Sequence, residues 1–287
     1  MPTICVYIPT HNRSVMLQRA LTSVFNQSLP ASEVIVVDDA SADDTQAVLA
    51  DWQKRYPELK VIQHTQPQGA CAARNAAIQA ATATFITGLD DDDEFALNHL
   101  QQLYNAFLPS YAFVSASLIE DTGAGRIVRA TTTGEHDLNS LLHYNKFTNQ
   151  VFTLTSRLKA VQGFDPAFPA MQDYDTWVRL VAQFGAALKI PAATYIWHTG
   201  HEQNRISHSS EKRLRALVLF LEKHQALLMP QHKKSLELMR IKMAGESLGF
   251  LRCIRLINKG NWRAALALLL NTRLKRIKAV MNKRRLT

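Results

Sequence analysis

The stretch Thr84-Phe85-Ile86-Thr87-Gly88-Leu89-Asp90-Asp91-Asp92-Asp93-Glu94 decides how this chain is read. Its first half, Thr84–Leu89, is a short apolar run with the length and composition of a buried strand. Its second half is five acidic residues with no spacer. Closely packed carboxylates repel one another, and burying them is costly unless a cation is present. Oxygen-only ligands suit Mg²⁺ or Mn²⁺, which keep some waters and take their remaining ligands from a substrate's phosphates. A strand-end Asp-x-Asp therefore reads as a clamp for a metal and a diphosphate, in the register Asp90/Asp92 or Asp91/Asp93. A solvated acidic turn or helix start is the competing reading, because acidic side chains favour helix N-termini.

Three more strands precede this one. Ile4–Ile8 is an apolar run that ends at Pro9, Val34–Val37 ends in the polar run Asp38–Asp44, and Val61–Gln63 is a third strand. Helical spacing fills the gaps: Val15 to Asn26, a stretch through Val48, Leu49 and Trp52, and the small-residue run Gly69–Ala81. Such alternation predicts an α/β fold with a mostly parallel central sheet flanked by helices. Ligands of open parallel sheets bind outside the carboxyl ends of the strands. Thr10–Arg13, Asp38–Asp44 and Asp90–Asp93 all fall at such ends, so three separate polar clusters are expected to converge. Further along, Ala112–Ala116 and Val151–Thr155 read as strands and Met171–Phe184 as a helix. From Glu211 the spacing predicts helices near 211–227, 231–258 and 261–283, separated by Pro230 and Gly260-Asn261. The expected domains are 1–210, carrying the sheet, and 211–287, a basic helical extension.

Several polar residues suit a reacting site, each with a plainer alternative. A carboxylate of Asp38-Asp39 could accept a hydrogen bond from a base N–H or a ribose hydroxyl, while Ser41 and Asp43 suit an N-cap of the helix at 45–52. Asp173 opens the helix at Met171–Phe184, where a carboxylate facing a cleft serves either as a general base or as a cap. His198, His201 and Glu202 could ligate a metal, but their spacing matches no zinc signature. No phosphate-binding Gly-x-x-x-x-Gly-Lys-Ser/Thr loop, no Gly-x-Gly-x-x-Gly fingerprint and no Gly-x-Ser-x-Gly elbow is present. Phosphate handling is left to a metal, arginine and helix ends.

In order, the motifs Val6-Tyr7-Ile8-Pro9-Thr10-His11-Asn12-Arg13, Val36-Val37-Asp38-Asp39-Ala40-Ser41-Ala42-Asp43, Gly69 with Ala73-Arg74-Asn75, Gly88-Leu89-Asp90-Asp91-Asp92-Asp93, Gly163-Phe164-Asp165 and Gln172-Asp173 resemble the family 2 glycosyltransferases over roughly residues 3–205. The resemblance implies a GT-A (nucleotide-diphospho-sugar transferase) fold, a nucleotide-sugar donor, a Mn²⁺ or Mg²⁺ ion and inversion at the anomeric carbon. UDP, the family's commonest nucleotide, is the expected one. By position, Thr10 and Asp39 would contact the base and ribose, with Asn12 and Arg13 beside them and Arg74 lining the nucleotide cleft. Asp90, Asp91 and Asp92 would hold the ribose, metal and diphosphate, with Asp92 as the direct metal ligand. Asp173 would be the catalytic base, and His198 a further metal or phosphate contact. Gln172 stands where the family often has Glu.

Charge is distributed unevenly along the chain. Residues 1–210 hold 14 Lys+Arg against 20 Asp+Glu, a net of −6; residues 211–287 hold 19 against 4, a net of +15. Leu266, Leu268, Leu269, Leu270, Leu274, Ile277 and Val280 interleave with Arg273, Lys275, Arg276, Lys278 and Lys283-Arg284-Arg285, a pattern that suits a helix on an anionic membrane surface. A packed helical cap is the alternative. Sparse aromatic residues argue against nucleic acid. No apolar run reaches about 18 residues, the N-terminus reads as a strand rather than a signal peptide, and Cys5, Cys71 and Cys253 form no disulfide framework. A cytoplasmic enzyme, peripheral on the inner face of the bacterial inner membrane, is expected. Its acceptor would be a lipid-linked oligosaccharide or lipopolysaccharide core, in O-antigen, capsule or core synthesis. Two alternatives are a polyprenyl-phosphate glycosyltransferase and a non-catalytic binder of nucleotide sugars or polyanions. The oligomeric state is open.

Overall fold

A computed structural model describes residues 2–129, 132–147, 149–200 and 209–272. The first strand, β1 (Ile4–Thr10), is buried along its whole length, as expected of a strand covered on both faces. It pairs in parallel with β2 (Glu33–Asp38) and with β4 (Phe85–Gly88), while β2 pairs in parallel with β3 (Leu59–Gln63). A short fifth strand, β9 (Thr153–Leu154), runs antiparallel to β4 and completes a sheet of order β3-β2-β1-β4-β9. The register sets Thr10 beside Asp38, and Asp38 beside Gln63. The polar ends of the strands are thereby brought level.

Alternate residues of β1 and β2 divide between two helical layers. Ile4, Val6, Ile8, Val34 and Val36 share a core with Leu17, Leu21 and Val24 of α1 (Ser14–Phe25) and Leu49 and Trp52 of α2 (Thr45–Arg55). The alanine-rich α3 (Ala70–Ala80) packs on β1 and β2. Its small side chains let the helix axis come close to the sheet, which positions Arg74 and Asn75 near the strand ends.

A second sheet, not foreseen from the sequence, has the order β5-β10-β6-β7, with β8 (Gly134–His136) paired to β10. Its members are β5 (Glu94–Phe95), β6 (Val114–Asp121), β7 (Arg126–Arg129) and the long β10 (Ala187–His198). Pro191 interrupts the apolar run of β10 and has no N–H to donate, which hides the strand from a pattern reading. The register with β6 shifts between Ile190 and Ala193 and again before Tyr195, so the ladder absorbs the proline as a bulge.

The chain forms two compact units. One comprises Met1–Leu138, Lys146–Ala167 and Gln172–Gln203; the other comprises Asn139–Asn145, Phe168–Met171 and Asn204–Thr287. In the second unit, α8 (Ser210–Lys223), α9 (Pro230–Met243) and α10 (Phe250–Leu256) precede a helix at 262–272. The single helix expected over 231–258 is therefore two. It breaks at Gly245, whose φ of +67° is a left-handed conformation that glycine adopts at little cost. Residues 273–287, with much of the basic tail read above, lie outside the described residues, as does His201. Among the described residues no helix is long and apolar enough to cross a membrane.

Candidate active site

The carboxyl ends of β1, β2 and β4 meet as the spacing predicted. At β1, the Thr10 hydroxyl donates to Asp91 Oδ2 (2.8 Å), and Arg13 lies 2.8 Å from Asp91 and 3.3 Å from Asp92. Asn12 adopts φ +53°, which turns its side chain back to accept from Ala42 N (2.7 Å), while its own N–H donates to Ser41 Oγ (2.9 Å). Asp43 lies one residue before the N-cap of α2, which is Asp44; its two oxygens accept from Thr45 N and Ser14 N, each at 3.0 Å, tying the starts of α1 and α2 together.

Asp38 and Asp39 point to different jobs. Asp39 accepts from Gln68 N (2.8 Å) and Gly69 N (2.7 Å), and His64 Nδ1 lies 2.7 Å from its Oδ1. Burial raises its pKa, but the His64 bond and the two amides outweigh burial and leave it below the ordinary value. Asp38 is fully buried; its Oδ1 accepts from Ser41 N, and its Oδ2 has no hydrogen-bond partner. An open cleft of about 450 Å³ adjoins this strand end, lined by Ala40, Ser41, Gln46, Gln63, His64 and Thr65.

The four aspartates alternate in environment. Asp91 and Asp93 are buried, Asp90 and Asp92 only half so. Desolvation pushes the Asp91 carboxyl up to about 6 against the pull of Arg13, and burial, then Asp90 and Asp92, raises Asp93. Asp93 accepts from the Tyr195 hydroxyl (2.8 Å) and from His198 N (3.1 Å). Asp90 accepts from Arg74 (2.9 Å), Asn149 (2.5 Å) and Gln150 (2.9 Å). Arg19 donates to the Asp92 carbonyl (2.6 Å) and pairs with Glu94 (3.2 Å). His198 Nε2 lies 2.7 Å from Glu94 and its Nδ1 3.9 Å from Asp121. Among the described residues no three His, Cys, Asp or Glu side chains are grouped as a ready cage for an ion. The donor set is nonetheless hard, oxygen-rich and self-repelling, which fits Mn²⁺ or Mg²⁺ completed by phosphate oxygens.

Arg74 links the cluster to Asp173. Burial lowers its pKa, but the charge of Asp90 and the hydrogen bond to it outweigh burial and keep it protonated. Its guanidinium lies 5.3 Å from the Phe164 ring, and the neighbouring Asn75 accepts from Phe164 N and donates to Phe164 O, both at 2.7 Å. A Cβ on Gly163 would sit 2.2 Å from Asn75 Oδ1, so this turn requires glycine. Asp173, in the first turn of α7 (Gln172–Phe184), is half-buried; desolvation raises its pKa, with Arg74 lowering and Asp90 raising it further. The carboxylate thus shares one electrostatic field with the aspartate cluster, although about 80 residues of chain separate them.

Contributors that escaped the sequence reading include Tyr7, Asn149, Gln150 and Tyr195. Gln150 Oε1 accepts from the Tyr7 hydroxyl (2.9 Å) while its Nε2 holds Asp90. A Cβ on Gly88 would lie 2.0 Å from that Oε1 and 2.5 Å from Tyr7, so the motif glycine clears room for this pair. Asn149 and Gln150 carry no local pattern that marks them. Tyr195 sits on the strand hidden by Pro191.

A mostly parallel sheet whose carboxyl ends gather an open cleft, an acidic cluster and a separate carboxylate has the ligand-binding layout of open α/β sheets, and the solved structures it resembles share the GT-A glycosyltransferase fold. The chain belongs to glycosyl transferase family 2, whose profile matches residues 5–161. It is 34% identical over 232 residues to WcaA of Escherichia coli K12, a protein named for glycosyl transfer in colanic acid biosynthesis, which covers 78% of this chain and 82% of that one. It is 38% identical over 125 residues to the GalNAc(5)-diNAcBac-PP-undecaprenol beta-1,3-glucosyltransferase of Campylobacter jejuni, covering 43% of this chain and 40% of that one. Among solved structures, S. aureus TarS 1-349 in complex with UDP-GlcNAc superposes with a TM-score of 0.66 at 20% identity, over 94% of this chain and 81% of that one. The mannosyltransferase PcManGT from Pyrobaculum calidifontis, in complex with GDP-Man and Mn²⁺, gives 0.65 at 19% identity, over 100% of this chain and 81% of that one.

Proposed function

We propose that this enzyme transfers a hexose or N-acetylhexosamine from a UDP-sugar, with inversion, to a lipid-linked saccharide acceptor in surface-polysaccharide synthesis of the O-antigen, capsule or lipopolysaccharide-core kind. The observation that carries the reading is the meeting of Thr10–Arg13, Asp38-Asp39 and Asp90–Asp93 at one sheet edge. The names of WcaA and of the Campylobacter undecaprenol-linked glucosyltransferase support the acceptor class, and the TarS complex supports the donor. A lipid-linked acceptor makes the inner face of the membrane the natural place of work.

Each residue has a distinct task. The cleft beside Ala40 and His64 receives the base, and the strand end at Thr10, Asn12, Arg13 and Asp39 orders its walls. Asp39, oriented by His64, Gln68 N and Gly69 N, is the acceptor for a base N–H or ribose hydroxyl. Asp92 and Asp90, the half-buried pair, would hold the metal, with His198, 2.7 Å from Glu94, as a further contact. When bound, that ion neutralises charge on the departing diphosphate as a Lewis acid. Arg74 faces the same charge from the α3 side. Asp173 takes the proton of the acceptor hydroxyl as that oxygen bonds to the anomeric carbon and the bond to the UDP oxygen breaks. Its raised pKa makes it a stronger base than an exposed aspartate. Incubation with UDP-glucose, UDP-galactose and UDP-GlcNAc, with and without Mn²⁺, tests the reading. Metal-dependent release of UDP supports it, and no turnover or protection with any UDP-sugar refutes the donor assignment.

A further inference from the structure

The second compact unit ends in a surface that the transfer chemistry does not use. Its small core contains Leu238, Ile241, Leu248, Cys253 and Ala265. With Cys253 turned inward, α10 leaves Phe250, Leu251 and Ile254 outside. With Ala265 and Thr272 inward, the helix at 262–272 leaves Trp262, Leu266 and Leu270 outside at four-residue spacing. These six side chains are 42–72% exposed. Single exposed apolar residues are ordinary, but two outward stripes on successive short helices are not. Exposed Arg255, Lys259 and Arg263 stand among them, and the Arg263 guanidinium lies 5.1 Å from the Trp262 ring. The sequence is one-sided here: residues 247–287 contain 11 Lys+Arg and no Asp or Glu.

We propose that Phe250, Leu251, Ile254, Trp262, Leu266 and Leu270 form an insertion face that seats the enzyme on an anionic lipid bilayer, with the surrounding Arg and Lys meeting the headgroups. Charge complementarity selects this occupant. The positive charge of Arg255, Lys259 and Arg263 around apolar side chains matches a surface that is negative at the headgroups and apolar just beneath. Tryptophan with a basic neighbour suits the boundary between the two layers. The face deepens the membrane-linked acceptor reading and rests on it, but the measurements below need no sugar transfer, so the two ideas fail separately.

The test uses the full chain and vesicles of phosphatidylcholine with or without phosphatidylglycerol. The protein is expected to float with the anionic vesicles at low salt, and brominated acyl chains are expected to quench its Trp262 fluorescence. Trp262→Phe should keep flotation and lose that quenching, since Trp52 and Trp177 are buried and Trp197 half-buried. Leu251→Asp with Leu266→Asp should lower partitioning at least ~10-fold, as should Arg255→Glu with Lys259→Glu, with unchanged far-UV circular dichroism and melting. The wild-type quenching measurement keeps the proposal testable if a variant misfolds. Absence of flotation with anionic vesicles overturns it. So does flotation with no quenching, which would mean charge attraction without insertion, or a dimer that Leu251→Asp with Leu266→Asp dissociates while vesicle binding persists.

Discussion

In the first compact unit, Asp90, Asp91, Asp92 and Asp93 crowd one strand end, and Thr10, Arg13, Arg74, Asn149, Gln150 and Tyr195 hold them there. In the second, Arg255, Lys259 and Arg263 stand in solvent among exposed apolar side chains. The first arrangement spends hydrogen bonds to keep like charges together, which makes sense only where something positive or polar is to be bound. The second keeps its charge outside and asks nothing of its core, which suits contact with a large surface.

The predictions press on that division, and the largest effect belongs to the base. Asp173→Asn should lower kcat at least ~100-fold in a folded protein, while flotation with anionic vesicles stays as in wild type. Near-normal turnover would move the base elsewhere. Asp92→Ala should weaken Mn²⁺-dependent UDP binding on the order of 10- to 100-fold, measured by calorimetry. An unchanged titration would shift the ligand to Asp91 or Asp93. Gly88→Ala should destabilise by about 2 kcal/mol, the scale of overpacking, because its Cβ would strike Gln150 and Tyr7. A melt equal to wild type would show that Gln150 moves aside freely.

The smallest effect tests charge away from the site. Glu33 accepts from Lys60, Thr82 and Ala83. Burial raises its pKa, but those bonds overcome burial and bring it down to about 2. Because the folded value lies below the unfolded one near 4.5, its stabilisation is complete above that value and is lost as pH falls toward 2. Glu33→Gln should cost about 1 kcal/mol at neutral pH, of the order of one net hydrogen bond, and should flatten the acid slope in that window in denaturant titrations.

Much of this was legible in the sequence. The runs at Ile4–Ile8, Val34–Val37 and Thr84–Leu89 mark three strands of the first sheet, because strands covered on both faces need continuous apolar residues. The polar clusters after them mark the site, because parallel strands align their carboxyl ends. The second sheet was hidden where Pro191 breaks the pattern of β10, and Tyr195 was hidden with it. Asn149 and Gln150 had no local signature, since their role depends on long-range placement beside Asp90. The alternation of buried Asp91 and Asp93 with half-buried Asp90 and Asp92 could not be read from four identical letters; it follows from the turn closed by Asp93 N donating to Asp90 O and from the partners Thr10, Arg13 and Tyr195.

The central claim is that the inward carboxylates carry out metal-assisted sugar transfer with Asp173 as base. The most direct measurement is UDP release from a UDP-sugar panel, in wild type and Asp173→Asn, with Mn²⁺ and with chelator. Turnover is expected in wild type with Mn²⁺ and is lost with chelator and in Asp173→Asn, with UDP binding retained in the variant. Equal turnover in wild type and Asp173→Asn would contradict it.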